Sequence, residues 1–105
     1  MAVLSVMYPN QPGARFDETY YLERHIPLVR RVWAPMGLTE VRLLRGASTP
    51  DGGPAPFQMI ALVAFRSIDA LHQALAAHSE EVFASIQRYT DIQPIMQISE
   101  EAIGR

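Results

Sequence analysis

Phe57-Gln58-Met59-Ile60-Ala61-Leu62-Val63-Ala64-Phe65 is a nine-residue, mainly apolar segment from which the architecture of the chain can be inferred. Side chains alternate between the two faces of a β-strand, and here both alternate sets are apolar. One face carries Phe57, Met59, Ala61, Val63 and Phe65, and the other carries Ile60, Leu62 and Ala64. A strand with two apolar faces is typical of the centre of a sheet that is covered on both sides.

Three more strands and two helical regions are predicted around this central strand. Residues that favour β-structure predict strands over 2–8, 38–45 and 93–99, and a Gly- and Pro-rich loop is predicted over 46–56. Amphipathic patterns predict one helix over residues 16–33 and a second that is capped by Ser67 and interrupted at His78. The resulting order βαββαβ is typical of the ferredoxin-like α+β fold, a four-stranded antiparallel sheet with both helices on one face.

Because both helices lie on one face of such a sheet, the other face needs a different cover. We expect the Phe, Met and Val side chains of the central strand to be left bare, and a large bare apolar patch is a typical interaction surface. A second copy of the chain is the simplest cover, since a two-fold dimer buries the same face of both sheets. The sequence therefore predicts a homodimer with its sheets face to face.

Composition narrows the class of protein. With 105 residues, 49% of them hydrophobic, we expect a single globular domain over residues 1–105. The formal net charge of −2 supplies no basic field, so we expect no nucleic-acid partner and no membrane partner. The chain has no cysteine, which excludes disulfides and thiolate chemistry. Residues 1–8 are too short for a membrane span and lack the basic start of a signal peptide, so we expect a cytoplasmic protein.

Nothing in the sequence predicts a metal or an organic cofactor. The histidines are His25, His72 and His78, and no two of them have the i, i+3 or i, i+4 spacing that places two ligands on one helical face. No Gly-rich motif of the kind that binds phosphates or dinucleotides is present. Any chemistry is therefore expected to use side chains alone.

The helix over residues 16–33 carries the candidate functional residues. Asp17 is predicted to cap its N-terminus, and Phe16 and Tyr21 have the spacing of a hydrophobic staple across that cap. Pro27 has no N–H to donate to the preceding turn, so we expect a kink or a new helical start beside it. The apolar face of this helix is predicted to consist of Tyr21, Leu22, Ile26, Leu28, Val29, Val32 and Trp33.

His25 lies in the middle of this apolar face, where the pattern would place a leucine. It is either a core histidine bonded to a backbone carbonyl or a functional imidazole beside a cavity. Two tyrosines one turn earlier and the break at Pro27 favour the functional interpretation. Adjacent helical side chains diverge by roughly 100°, so Tyr21 rather than Tyr20 is expected to share the face of His25.

Taken together, these residues resemble the EthD family, named for ethyl tert-butyl ether degradation. The resemblance rests on Tyr8-Pro9, on Phe16-Asp17-x-x-Tyr20-Tyr21-x-x-x-His25-x-Pro27-Leu28, and on Tyr89-Thr90-Asp91-Ile92-Gln93-Pro94-Ile95-x-Gln97-Ile98-Ser99-Glu100. It implies a dimeric α+β barrel built from ferredoxin-like subunits. The chain departs from the family at Ser85, where the resemblance implies an acidic residue before Ile86.

The resemblance also implies a chemistry. Related barrels include cofactor-free isomerases and cyclases that use a histidine base with tyrosine partners. By resemblance, His25 is the base, Tyr21 or Tyr20 is its hydrogen-bonding partner, and His78 is the alternative base.

Two functions follow from this comparison with the family. The first is a cofactor-independent enzyme that transfers a proton on a small, mainly apolar oxygenated compound in a catabolic or secondary-metabolite pathway. The second is a non-catalytic binding or accessory protein of an oxidative degradation pathway, since members of the family are often labelled reductases.

Overall fold

The chain folds into one four-stranded antiparallel sheet with its helices packed on one face. The structure, a computed structural model, describes residues 1–104. Its strands are β1 (Ala2–Pro9), β2 (Leu38–Arg45), β3 (Phe57–Phe65) and β4 (Ile95–Glu100), and they lie in the order β2-β3-β1-β4. This arrangement confirms the predicted ferredoxin-like α+β fold. β4 begins two residues later than predicted, after Pro94, which cannot donate a hydrogen bond to a neighbouring strand.

The first helical region has three consecutive segments. They are an α-helical turn, α1 (Glu18–Tyr20), a π-helical segment (Tyr21–His25) and an α-helix, α2 (Ile26–Trp33). The Asp17 side chain accepts a hydrogen bond from the N–H of Tyr20, which confirms the predicted cap. The rings of Phe16 and Tyr21 lie 5.1 Å apart between centroids, as expected for the predicted staple.

The expected break near Pro27 takes the form of this π-helical segment. The N–H of Ile26 donates to the carbonyl of Tyr21, five residues back, and Pro27 occupies the first turn of α2, where its missing N–H costs little. Tyr21 and His25, at the two ends of this segment, are buried, whereas Leu22, predicted to lie on the apolar face, is 43% exposed.

The second helical region is α3 (Ile68–Ser85), followed by a 3₁₀ turn (Ile86–Arg88). Ser67 caps α3 by accepting a hydrogen bond from the N–H of Ala70, as predicted. The interruption predicted at His78 is a kink inside one helix, since His78 alone has non-helical dihedral angles (φ −139°, ψ 22°). No helix in residues 1–104 is long and apolar enough to cross a membrane.

The helices cover the face of the sheet that was expected to be bare. Met59, Ala61, Val63 and Phe65 of β3 are buried in the core beneath the helices. That expectation was wrong, because the alternation of the strand fixes two sets of side chains but not which set faces the helices. The uncovered face carries the opposite set, in which Ile60 and Leu62 are only half-buried.

Candidate active site

A small cavity lies between the covered face of the sheet and the two helical regions. Its volume is about 20 Å³, enough for about one water molecule. The sheet contributes apolar side chains such as Leu4, Val6 and Val63, and the first helical region contributes Tyr21, His25 and Trp33. The candidate base and its candidate partner therefore line the same small cavity.

His25 is the only histidine that lines this cavity. Its side chain comes from the π-helical segment and is 5% exposed. The Nδ1 atom lies 3.1 Å from the hydroxyl oxygen of Ser85 on α3, and Nε2 has no hydrogen-bond partner among residues 1–104. Burial lowers the pKa of His25 from 6.5 to about 4, so the imidazole is neutral at pH 7.

The Tyr21 hydroxyl is buried without a partner. It is the only fully enclosed side-chain polar atom in residues 1–104 that makes no hydrogen bond. An unpaired buried hydroxyl is destabilising, and such groups in a cavity wall commonly mark a place where a ligand or water binds. The ring stacks on the imidazole of His25, with centroids 5.7 Å apart and planes inclined by 14°. Burial raises the pKa of Tyr21 well above its usual range, which keeps the phenol a hydrogen-bond donor.

Two further tyrosines support this pair. The hydroxyls of Tyr8, on β1, and Tyr89, after α3, form a buried hydrogen bond with each other. The ring of Tyr89 lies 4.8 Å from the imidazole of His25 and 5.0 Å from the ring of Tyr21. Burial raises the pKa of Tyr8 to about 12. Because the hydroxyls of Tyr8 and Tyr89 are bonded to each other, the hydroxyl of Tyr21 is the one of the three that has no partner.

The structure separates the other two candidate residues from this cavity. Tyr20 is half-buried against the edge of the core and does not line the cavity, as the divergence of adjacent helical residues predicted. His78 lies at the kink of α3, where its Nδ1 is paired with Glu81 and its side chain is 38% exposed. It does not line the cavity, so the structure does not bring it to His25.

Ser85 is a site residue that the sequence pattern did not predict. It is 7% exposed and is the one side chain that hydrogen-bonds to His25. The departure from the family pattern at this position was visible in the sequence. A single serine near a helix end does not, however, indicate that it will hydrogen-bond to His25. The 60-residue separation between the two side chains is closed only when α3 packs across the sheet.

No metal cluster accompanies these groups. In residues 1–104, no three His, Asp or Glu side chains are close enough to hold a metal ion. The groups that line the cavity are one neutral imidazole, phenols and apolar side chains. What they can do chemically is accept a proton at Nε2 and donate a hydrogen bond from the Tyr21 hydroxyl.

Comparison with solved structures decides the family. No protein-family model matches the chain, and no curated protein matches it. An EthD-like protein from Ralstonia eutropha JMP134 is 32% identical, the alignment covers 99% of this chain and 94% of that one, and the TM-score is 0.87. The chain belongs to the EthD family.

Other solved structures are also similar to this EthD protein. An EthD family protein from Bacillus halodurans C-125 is 25% identical over 96% of this chain and 98% of that one, with a TM-score of 0.71. SnoaB, a cofactor-independent oxygenase from Streptomyces nogalater, is 14% identical over 99% of this chain and 95% of that one, with a TM-score of 0.54. At that identity the likeness to SnoaB concerns the fold alone.

Proposed function

We propose that this EthD protein is a cofactor-independent enzyme that transfers a proton on a small, mainly apolar carbonyl compound. In this proposal His25 is the base and Tyr21 donates a hydrogen bond to the carbonyl oxygen. The observation that carries the proposal is the pairing of a buried neutral imidazole with a buried unpaired hydroxyl in the wall of one cavity.

The proposed reaction uses Nε2 of His25 and the hydroxyl group of Tyr21, one after the other. In the tautomer that carries its proton on Nδ1, His25 donates a hydrogen bond to the Ser85 hydroxyl. The lone pair of Nε2 then faces a C–H group next to the carbonyl. The proton moves to Nε2, the C–H electron pair becomes the double bond of an enolate, and the Tyr21 hydroxyl donates to the enolate oxygen. The imidazolium then returns the proton to carbon, so no net oxidation or reduction occurs.

The low basicity of His25 limits the substrate. A base whose pKa is near 4 removes a proton efficiently only when that proton is already acidic. A C–H group that is activated by both a carbonyl and an aromatic ring or a second carbonyl meets this need. Polycyclic ketones whose C–H group lies between the carbonyl and an aromatic ring are compounds of this kind.

The comparison with SnoaB supports the proposal at the level of the fold. SnoaB is a cofactor-independent oxygenase, so cofactor-free chemistry occurs in another protein that shares this arrangement of strands and helices. Because one fold hosts many functions, the residues of this chain have to carry the specific proposal.

Hydrogen exchange tests the proposed reaction. We expect the protein to accelerate the exchange of the C1 hydrogens of 2-tetralone, an aryl-activated ketone, with deuterium from D₂O, followed by NMR. His25→Gln is expected to reduce the protein-dependent rate by about 10²-fold, the typical contribution of a positioned base. His72→Gln is the matched control, because His72 is an exposed histidine of α3 outside the cavity.

The same experiment separates the proposed enzyme from a binding or accessory protein. Binding of 2-tetralone without faster exchange than buffer would contradict catalysis and favour the binding role. Equal exchange by wild type and His25→Gln would contradict the role of His25, whatever the rate.

We also propose that the protein acts as a homodimer, in the cytoplasm. The uncovered face of the sheet supports the dimer, because it presents apolar side chains from all four strands: Val3, Met7, Leu44, Ile60, Leu62 and Ile95. Leu44 and Ile95 are 44% and 52% exposed, an arrangement that a second sheet would cover.

A further inference from the structure

A large open cleft lies beside the His25 cavity. It has a volume of about 720 Å³ and lies between the segment that follows α3 and the start of β4. Its exposed rim carries the polar side chains of Arg15, Gln87, Asp91 and Gln93, and apolar side chains make up most of the remaining lining. A cleft of this size is in the range of small-molecule sites, whereas the cavity beside His25 has room for little more than a water molecule.

Three side chains separate the cleft from the cavity. Phe83, Ile86 and Met96 line both spaces. They are also the only cavity-lining residues that are not buried, since all of the others are at most 8% exposed. The cavity therefore has one side that faces solvent, and that side is this dividing wall.

The most adaptable side chain of the dividing wall is that of Met96. Met96 lies on the edge strand β4, is 37% exposed, and has an unbranched side chain that adapts readily to its surroundings. Phe83 follows the kink at His78, so its segment of α3 is offset from the first part of the helix. Rotation of these side chains would join the two spaces without breaking a hydrogen bond of the core.

The charges around the two spaces define the ligand. No Asp, Glu, Lys or Arg side chain lines the cavity, and an unpaired charge there would lose its hydration without compensation. In the cleft, the Arg15 guanidinium donates to the carbonyls of Gln87 and Arg88, and Asp91 accepts from the N–H of Arg15. Both charged groups of the rim thus hydrogen-bond to the protein, and the absence of charged side chains from the cavity favours an uncharged ligand.

We propose that the cleft and the cavity are two halves of one ligand site, divided by Phe83, Ile86 and Met96. The site takes an uncharged, elongated and mainly apolar molecule, whose phenol or carbonyl oxygen reaches Tyr21 and His25 while its other end stays in the cleft. The position of the ligand oxygen beside Tyr21 and His25 rests on the proposed function. The role of Phe83, Ile86 and Met96 as a dividing wall does not depend on that function.

Trp33 provides a direct measurement of the dividing wall. It is the only tryptophan in the chain, it is buried, and it lines the cavity. Acrylamide is a small uncharged quencher that must enter the cavity to reach it. We expect Met96→Ala to raise the acrylamide quenching constant of Trp33 several-fold, and Phe83→Leu to raise it by less.

Ile98→Ala is the matched control. Ile98 lies two residues further along β4, has the same 37% exposure as Met96, and lines neither space. The two side chains lie on the same face of the sheet, opposite Leu4 and Val6 of β1. Equal quenching constants for wild type, Met96→Ala and Phe83→Leu would contradict the proposal that these side chains close the cavity. An equal rise in the quenching constant of Ile98→Ala would contradict it as well.

The ligand class is tested with 2-naphthol, which resembles the enol of 2-tetralone and is uncharged at pH 7. We expect it to quench Trp33 on binding, to associate several-fold faster with Met96→Ala than with wild type, and to bind more tightly than 2-naphthoate, an anion of similar shape. Tighter binding of 2-naphthoate would contradict the proposal that the ligand is uncharged. If Met96→Ala opens the cavity to acrylamide but Tyr21→Phe binds 2-naphthol as wild type does, the proposed function fails while the dividing wall stands.

Discussion

His25 is held in its neutral form by its surroundings, and this makes stability depend on pH. Because burial lowers its pKa from 6.5 to about 4, the unfolded chain binds more protons than the folded one between these two values. The stabilising effect of the neutral imidazole is complete above pH 6.5 and is lost as the pH falls towards 4. The loss amounts to about 3 kcal/mol of the free energy of unfolding.

Urea denaturation of wild type and His25→Gln across this pH range measures the effect. We expect wild type to lose stability more steeply than His25→Gln between pH 6.5 and pH 4, because glutamine does not titrate. Parallel curves would mean that the imidazole of His25 titrates as it does in the unfolded chain.

The hydroxyl of Ser85 gives His25 a neutral partner where the family pattern implies an acidic one. A carboxylate at 3.1 Å from Nδ1 would favour the charged imidazolium, so we expect Ser85→Asp to raise the pKa of His25. The measurement is an NMR titration of the imidazole, with Ser85→Ala as the control, in which the pKa stays low. An unchanged pKa in Ser85→Asp would show that Ser85 does not control the protonation of His25.

Tyr21 carries a hydroxyl that costs stability in the ligand-free protein. Since an unpaired buried polar group is unfavourable, we expect Tyr21→Phe to raise the free energy of unfolding by about 1 kcal/mol. Tyr89→Phe is the comparison, because it breaks the hydrogen bond with Tyr8 and is expected to lower the free energy of unfolding by a similar amount. Urea denaturation measures both. A loss of stability in Tyr21→Phe would indicate that its hydroxyl is already satisfied, for example by a bound water.

At the scale of elements, the N-terminus of the first helical region positions Tyr21 and His25. Asp17 accepts from the N–H of Tyr20 and so fixes the turn that leads into the π-helical segment. We expect Asp17→Ala to lower the free energy of unfolding by about 1 kcal/mol, the typical value of a lost cap. Thermal denaturation measures it. Asp69→Ala is the control, since Asp69 lies in the first turn of α3 but Ser67 provides that cap, and an equal loss there would contradict the role of Asp17.

At the scale of the whole molecule, the uncovered face of the sheet governs assembly. Leu62 lies at the centre of that face, opposite Ser5 of β1 and Arg42 of β2. We expect the wild type to sediment as a dimer at micromolar concentration and Leu62→Lys as a monomer, because a buried lysine would lack a partner. Leu22→Lys changes an exposed leucine on the helical side and is expected to remain a dimer. A wild type that sediments as a stable monomer would contradict the proposed dimer.

The order of the elements, most of their boundaries and the two helix caps could be predicted from the sequence. These features depend on neighbouring residues: the alternation of β3, the periodicity of the helices, and the capping side chains of Asp17 and Ser67. The same local reasoning placed Tyr21 and His25 on one face, and it located a break beside Pro27.

The features that depend on residues distant in the sequence could not be predicted. The π-helical turn, the face of β3 that the helices cover, and the contact between His25 and Ser85 all result from how the helices pack on the sheet. The sequence pattern could not assign these, because a period of two or of 3.6 residues defines faces but not what lies opposite them. The lowered pKa of His25 and the unpaired hydroxyl of Tyr21 follow from that packing, which removes both groups from water.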